Sequence, residues 1–185
     1  LEVDPDAPVP HSISTAAAAF PFSGASDLDL TGAFLYAVNV GGGATTQSGV
    51  SFTPDTETDG VTVTAQNHIP SWGGRNNFGN DDGLEDVLQS IRWSGYPNSV
   101  TMELTGLTVG TEYKLQMLFT EKCCNRGWDV YVNDEVIFEN FSPQDVEGGI
   151  NTMNTGAALS FDFIAAMDTL TVVHLGNGGF PDNNP

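Results

Sequence analysis

Along most of the chain, apolar and polar residues alternate over short runs, which is the period of a strand with one buried face. Residues 33–40 (Ala-Phe-Leu-Tyr-Ala-Val-Asn-Val) mix aromatic and β-branched side chains and end in Gly41-Gly42-Gly43. Runs of the same kind follow at 50–53, 61–65, 99–104, 112–119, 128–132, 135–138, 158–163 and 169–175. Turn chemistry separates them. Leu107-Thr108-Val109-Gly110 precedes the run at 112, and Asn133-Asp134 leaves so little chain between two runs that a tight hairpin is the natural connection. Residues 82–92 break the period. There Leu84, Val87, Leu88 and Ile91 fall at i, i+3, i+4 and i+7, giving one apolar stripe on a short helix. Asp81 or Asp82 can cap its N-terminus, where negative charge is favoured. Many short strands with one short helix predict an all-β fold, an antiparallel β-sandwich of the jelly-roll, galactose-binding-like kind. No internal repeat stands out.

The ends and the composition set the organisation. Residues 1–14 hold Pro5, Pro8 and Pro10, so this stretch reads as an extended linker or arm rather than a regular element. The expected division is a Pro-rich N-terminal arm or linker over 1–27 and a β-sandwich domain over 28–185, a length suited to one core. The apolar residues 16–20 (Ala-Ala-Ala-Ala-Phe) are far short of the roughly 20 needed to cross a bilayer, and no basic flank precedes them. They read as neither signal peptide nor anchor. With Leu1 in place of an initiator Met, the chain reads as a processed or excised piece.

Charge narrows the partners. Against 24 acids stand only Arg75, Arg92, Lys114, Lys122 and Arg126, a net charge of -19. Such a surface repels phosphate backbones and anionic headgroups, which excludes nucleic acid and membrane insertion as expectations. Two readings of the acids stay open: a solvated surface suited to salty surroundings, or carboxylates gathered around calcium. The first accounts for most of them.

Several stretches then become familiar. They are residues 29–43 with Gly49-Val50-Ser51-Phe52-Thr53, the helix near 84–90, residues 104–119, and Asn125-Arg126-Gly127-Trp128-Asp129-Val130-Tyr131-Val132-Asn133. Together, over roughly 28–175, they resemble malectin-like, galactose-binding-like β-sandwich modules of secreted bacterial proteins. The last stretch is similar to that family's hairpin, with Asp134 where Gly is usual. The resemblance implies an extracellular or cell-surface location and a glycan or polysaccharide partner. Related modules usually finish with a further strand, whereas this sequence stops at Asn183-Asn184-Pro185. A missing strand leaves a sheet edge open to strand addition by a neighbouring copy.

Candidate chemistry is sparse. Cys123 and Cys124 are the only cysteines, so an intrachain disulfide joins adjacent residues in a strained ring. An oxidising extracellular setting favours that over two reduced thiols, and the ring would offer a rigid sulfur face to a sugar. Trp72, in an aperiodic segment beside Arg75, Asn76 and Asn77, suits stacking on a pyranose with planar hydrogen-bonding neighbours. Trp93 reads equally as contact or core, and Trp128 reads as core. Asn125 and Arg126 flank the cysteine pair. Asp81 and Asp82 offer a weak calcium site without the alternating register of a calcium loop, and helix capping explains them as well. His11, His68 and His174 stand alone, with no hydrolase elbow or zinc motif. The expected function is a non-catalytic carbohydrate-binding module. The alternative is a structural or adhesive block of an extracellular assembly.

Overall fold

Where two alternating runs each have one apolar face, the faces bury themselves against one another. The computed structural model, which describes residues 12–13, 15–71, 82–121, 124–149, 152, 154–176 and 182–183, is built on that rule. Its strands in chain order are β1 (Ser12–Ile13), β2 (Ala18–Phe22), β3 (Val38–Asn39), β4 (Thr45–Gln47), β5 (Val50–Pro54), β6 (Val61–Thr64) and β7 (Asn67–Ile69). After helix α1 (Asp82–Leu88) come β8 (Ile91–Gly95), β9 (Val100–Leu104), β10 (Glu112–Phe119), β11 (Trp128–Val132) and β12 (Glu135–Phe141). Helix α2 (Pro143–Glu147) then leads to β13 (Gly156–Ile164), β14 (Leu170–Leu175) and β15 (Asp182–Asn183).

One sheet centres on β13. β10 lies antiparallel to it from Glu112↔Ile164 to Phe119↔Ala157, and β2 and β1 share its other edge. The second sheet runs β12-β11-β14-β9-β6, also antiparallel. Met117, Phe119, Leu159, Phe161 and Phe163 from the first meet Trp128, Val130, Val132, Leu170 and Val172 from the second. Each such side chain, once buried, contributes about 1.5–3 kcal/mol. Trp128 is 0% exposed and lies against Phe141 (5.3 Å between centroids), Phe119 (5.4 Å) and His174 (5.7 Å, stacked). It is core, as its place in the alternation of β11 requires.

Four expectations change in detail. The run at 33–40 contributes only β3, which pairs in parallel with β5 (Val38↔Thr53, Asn39↔Pro54). β2 falls inside the stretch read as arm, yet it is laddered to β13 and buries Phe22. A second helix, α2, joins the one that was expected. Ser142 caps it by accepting from the Asp145 N–H (3.3 Å), Pro143 opens it, and Gly148 ends it at φ 93°. Ile91 belongs to β8 rather than α1, because the chain turns where the Ser90 hydroxyl donates to Asn39 Oδ1 (2.8 Å) and the Val40 carbonyl (3.2 Å).

Helix α1 presses Leu84 and Leu88 into a second core with Phe22, Leu28 and Ala158. It approaches β4 so closely that a Cβ on Gly83 would sit 2.3 Å from the Thr46 carbonyl oxygen. At the opposite side, Asn133 (φ 46°) and Asp134 (φ 68°) make the expected two-residue hairpin between β11 and β12, with Val132 facing Glu135. Among the described residues no helix is long and apolar enough to cross a membrane.

Candidate functional site

The shortening of the 33–40 run creates a cleft. Thr53 N–H donates to the Ala37 carbonyl (2.9 Å), but residues before Ala37 diverge from β5. Tyr36 fixes the divergence: its hydroxyl donates to the Thr105 carbonyl (2.7 Å), in the connection after β9. β4 and β5 meet at Ser48-Gly49, both left-handed (φ 49° and 81°), and this turn forms one end of the cleft. The opening measures about 480 Å³ and is walled by Phe34, Leu35 and Tyr36 on one side and Ser51, Thr53 and Thr58 on the other.

Phe34 and Leu35 are 44% and 45% exposed, large apolar groups held in water beside hydroxyls. The Thr53 and Thr58 hydroxyls lie 2.6 Å apart, and Thr58 also donates to the Pro54 carbonyl (2.7 Å). Among the described residues no charged side chain lines the cleft, in a chain with 24 acids. Such a surface can stack a ring and exchange hydrogen bonds with neutral hydroxyls.

The cysteine loop rests on buried polar groups. Glu121, just past β10, accepts from the Cys124 N–H (3.2 Å) and from the Arg126 guanidinium. The Glu121 N–H in turn donates to Glu147 at the end of α2 (2.9 Å). From the same helix, the Gln144 amide donates to Asn125 Oδ1 (2.6 Å) and to the Arg126 carbonyl (2.7 Å). Cys124 is half-buried and carries no free thiol, and Asn125 is exposed. Arg126, a candidate ligand contact, is buried and paired with Glu121, an arrangement that positions the loop. Cys123 lies outside the described residues.

Trp93 is half-buried on β8, opposite Asn67 of β7. Its neighbour Arg92 donates to the buried Asp55 carboxylate (2.6 Å), whose other oxygen accepts from the Gly41 N–H (2.8 Å). His68 Nε2 lies 2.5 Å from the Gly41 carbonyl oxygen. This network ties the Gly41 turn to the small β7–β8 sheet, and Trp93 stands at its margin.

Trp72, Arg75, Asn76, Asn77 and Asp81 lie outside the described residues, as does the side chain of Asp82, so the aromatic loop and the weak calcium site are not described. Among the described residues no group of three His, Cys, Asp or Glu side chains is placed to hold a metal. Two shifted carboxylate and imidazole groups have plain causes. The Lys114 ammonium, 2.6 Å from Asp29, lowers that exposed carboxyl to about 2, and burial lowers His174 to about 3.

Sequence reasoning passed over Phe34 and Leu35 because both fit the alternation of a strand. The missed signal was Gly32 before them, which is left-handed (φ 89°) and lets the chain leave the strand direction.

The sequence matches no family model and no curated protein. Among solved structures it is similar to the crystal structure of plant receptor-like kinase FER, with a TM-score of 0.45 and 12% identity. The similarity covers 78% of this chain and 50% of that one, so the chain spans half the length of that structure. Nothing below rests on a likeness at that score.

Proposed function

We propose that this chain is a non-catalytic, extracellular carbohydrate-binding module whose ligand lies in the cleft between residues 30–37 and β5. The observation that carries the reading is the uncharged cleft itself, with Phe34 exposed along one wall and the Ser51, Thr53 and Thr58 hydroxyls along the other. Phe34 and Leu35 are adjacent and both exposed, so together they offer one apolar face beside the hydroxyls for a ring to stack on. The malectin-like resemblance of residues 28–175 supports the same class.

The ligand is a neutral glycan. The described basic side chains are committed elsewhere, Arg92 to Asp55, Lys114 to Asp29 and Arg126 to Glu121. Among the described residues the cleft is lined by hydroxyls and apolar groups rather than carboxylates, which suits a ligand held without calcium. In the same reading Cys124 is bonded to Cys123, and the ring forms a second contact surface on the loop that Glu121 and Gln144 hold rigid.

Calorimetric titration against neutral and uronic-acid oligosaccharides, with calcium and with a chelator, tests the proposal. The expected result is binding to a neutral member, unchanged by chelation, and weakened about tenfold (1.4 kcal/mol) by Phe34→Ala. Failure of every glycan to bind sinks the reading.

A further inference from the structure

A second space lies behind the cleft, between the two sheets. It measures about 170 Å³, and aliphatic side chains dominate its walls: Val38, Val63, Val87, Val100, Met102 and Met117 among them. They come from β3, β6, α1, β9 and β10, so the space sits where the helix and the Tyr36–Val40 segment close one end of the sandwich.

We propose that this cavity is a binding site for a compact apolar group, a benzene-sized ring or a short branched alkyl chain. Three observations carry it. Native interiors seldom leave voids larger than a water, and an empty one costs stability in proportion to its volume. A cavity of roughly 150 Å³ with apolar walls stays dry and takes up benzene or xenon, and this one is larger. Of its polar neighbours, Ser90, Gln116 and Tyr36 are engaged elsewhere, and His174 adds an imidazole to the wall. Ser90 donates to Asn39 and the Val40 carbonyl, the Gln116 amide oxygen accepts from the Asp29 N–H (3.2 Å), and the Tyr36 hydroxyl donates to Thr105. A guest therefore gains chiefly from contact with the aliphatic walls.

Tyr36 and Ala37 line both the cavity and the surface cleft, which makes them the partition between the two spaces. The guest enters there. The proposal stands whether or not the cleft takes a sugar, because it rests on the interior walls alone.

The test is thermal unfolding of the whole chain with benzene, with phenol as the polar control, and xenon uptake followed by ¹²⁹Xe NMR. Saturating benzene is expected to raise the midpoint by roughly 2–4 °C, with a smaller shift from phenol. Val63→Leu and Val100→Leu, which fill the space, should each reduce the benzene shift and the xenon signal at least tenfold in apparent affinity. No benzene shift together with no xenon uptake by the unmodified chain would overturn the proposal, whatever the variants do. A benzene shift that survives both filling variants would also overturn it, because the guest would then sit elsewhere.

Discussion

Glu121 and Arg126 form an ion pair in which the carboxylate side chain is 4% exposed and the guanidinium side chain 9%. Removing one partner strands the other charge out of water, which costs about 3–5 kcal/mol. Arg126→Met should lower the urea-unfolding free energy by that amount. The double variant Glu121→Leu/Arg126→Met should recover most of it. A single-variant loss below about 1 kcal/mol would mean that the pair is solvated.

His174 sets an acid limit on stability. Its folded value of about 3 lies below the ordinary 6.5, so the folded state resists a proton that the unfolded chain accepts. The contribution is complete above pH 6.5 and is lost as pH falls from there toward 3, at up to about 1.4 kcal/mol per pH unit. Denaturation midpoints measured from pH 7 to pH 4 should fall along that slope. His174→Phe should flatten the part that belongs to this residue.

Much of the sandwich was legible, and the reason is local. β10, β11 and β14 alternate cleanly because one face of each is buried and the other is wet, so sequence and structure share a period. β2 was not legible, since Ala18–Phe22 opens on two alanines and holds Pro21, a poor strand pattern that pairs along the edge of β13. α2 announced itself in Ser142-Pro143 but is one turn and a half long, too short for a periodic stripe. The site was less legible still. Phe34 looks like any strand aromatic until Tyr36 is seen bonded to Thr105. Glu121 and Arg126 before α2, and Gln144 and Glu147 within it, look like surface residues until the helix folds back and buries them together.

The β11–β12 turn can be improved. Asp134 sits at φ 68°, which a side chain adopts at a cost that glycine avoids. Asp134→Gly should stabilise the protein by up to about 1 kcal/mol, read as a higher midpoint with an unchanged denaturant slope. A lower midpoint would show that the Asp134 side chain makes a compensating bond.

Gly60 closes around Tyr36. It is left-handed (φ 83°), and a Cβ there would sit 2.2 Å from the Tyr36 hydroxyl. Gly60→Ala should therefore cost more than Tyr36→Phe, which loses one hydrogen bond worth about 1 kcal/mol. Equal losses would place the tyrosine ring elsewhere in solution.

The edge of β13 has one further consequence. β2 covers Gly156–Ser160 and β1 covers Phe163–Ile164, and between them Thr15 spans the gap. Its N–H donates to the Asp162 carbonyl (3.3 Å) and its hydroxyl accepts from the Asp162 N–H (2.8 Å), across 147 residues of chain. During synthesis the segment around Thr15 therefore leaves the ribosome long before its partner strand exists. Closing this edge is a late event, and until β13 emerges nascent β1 and β2 have no ladder to join.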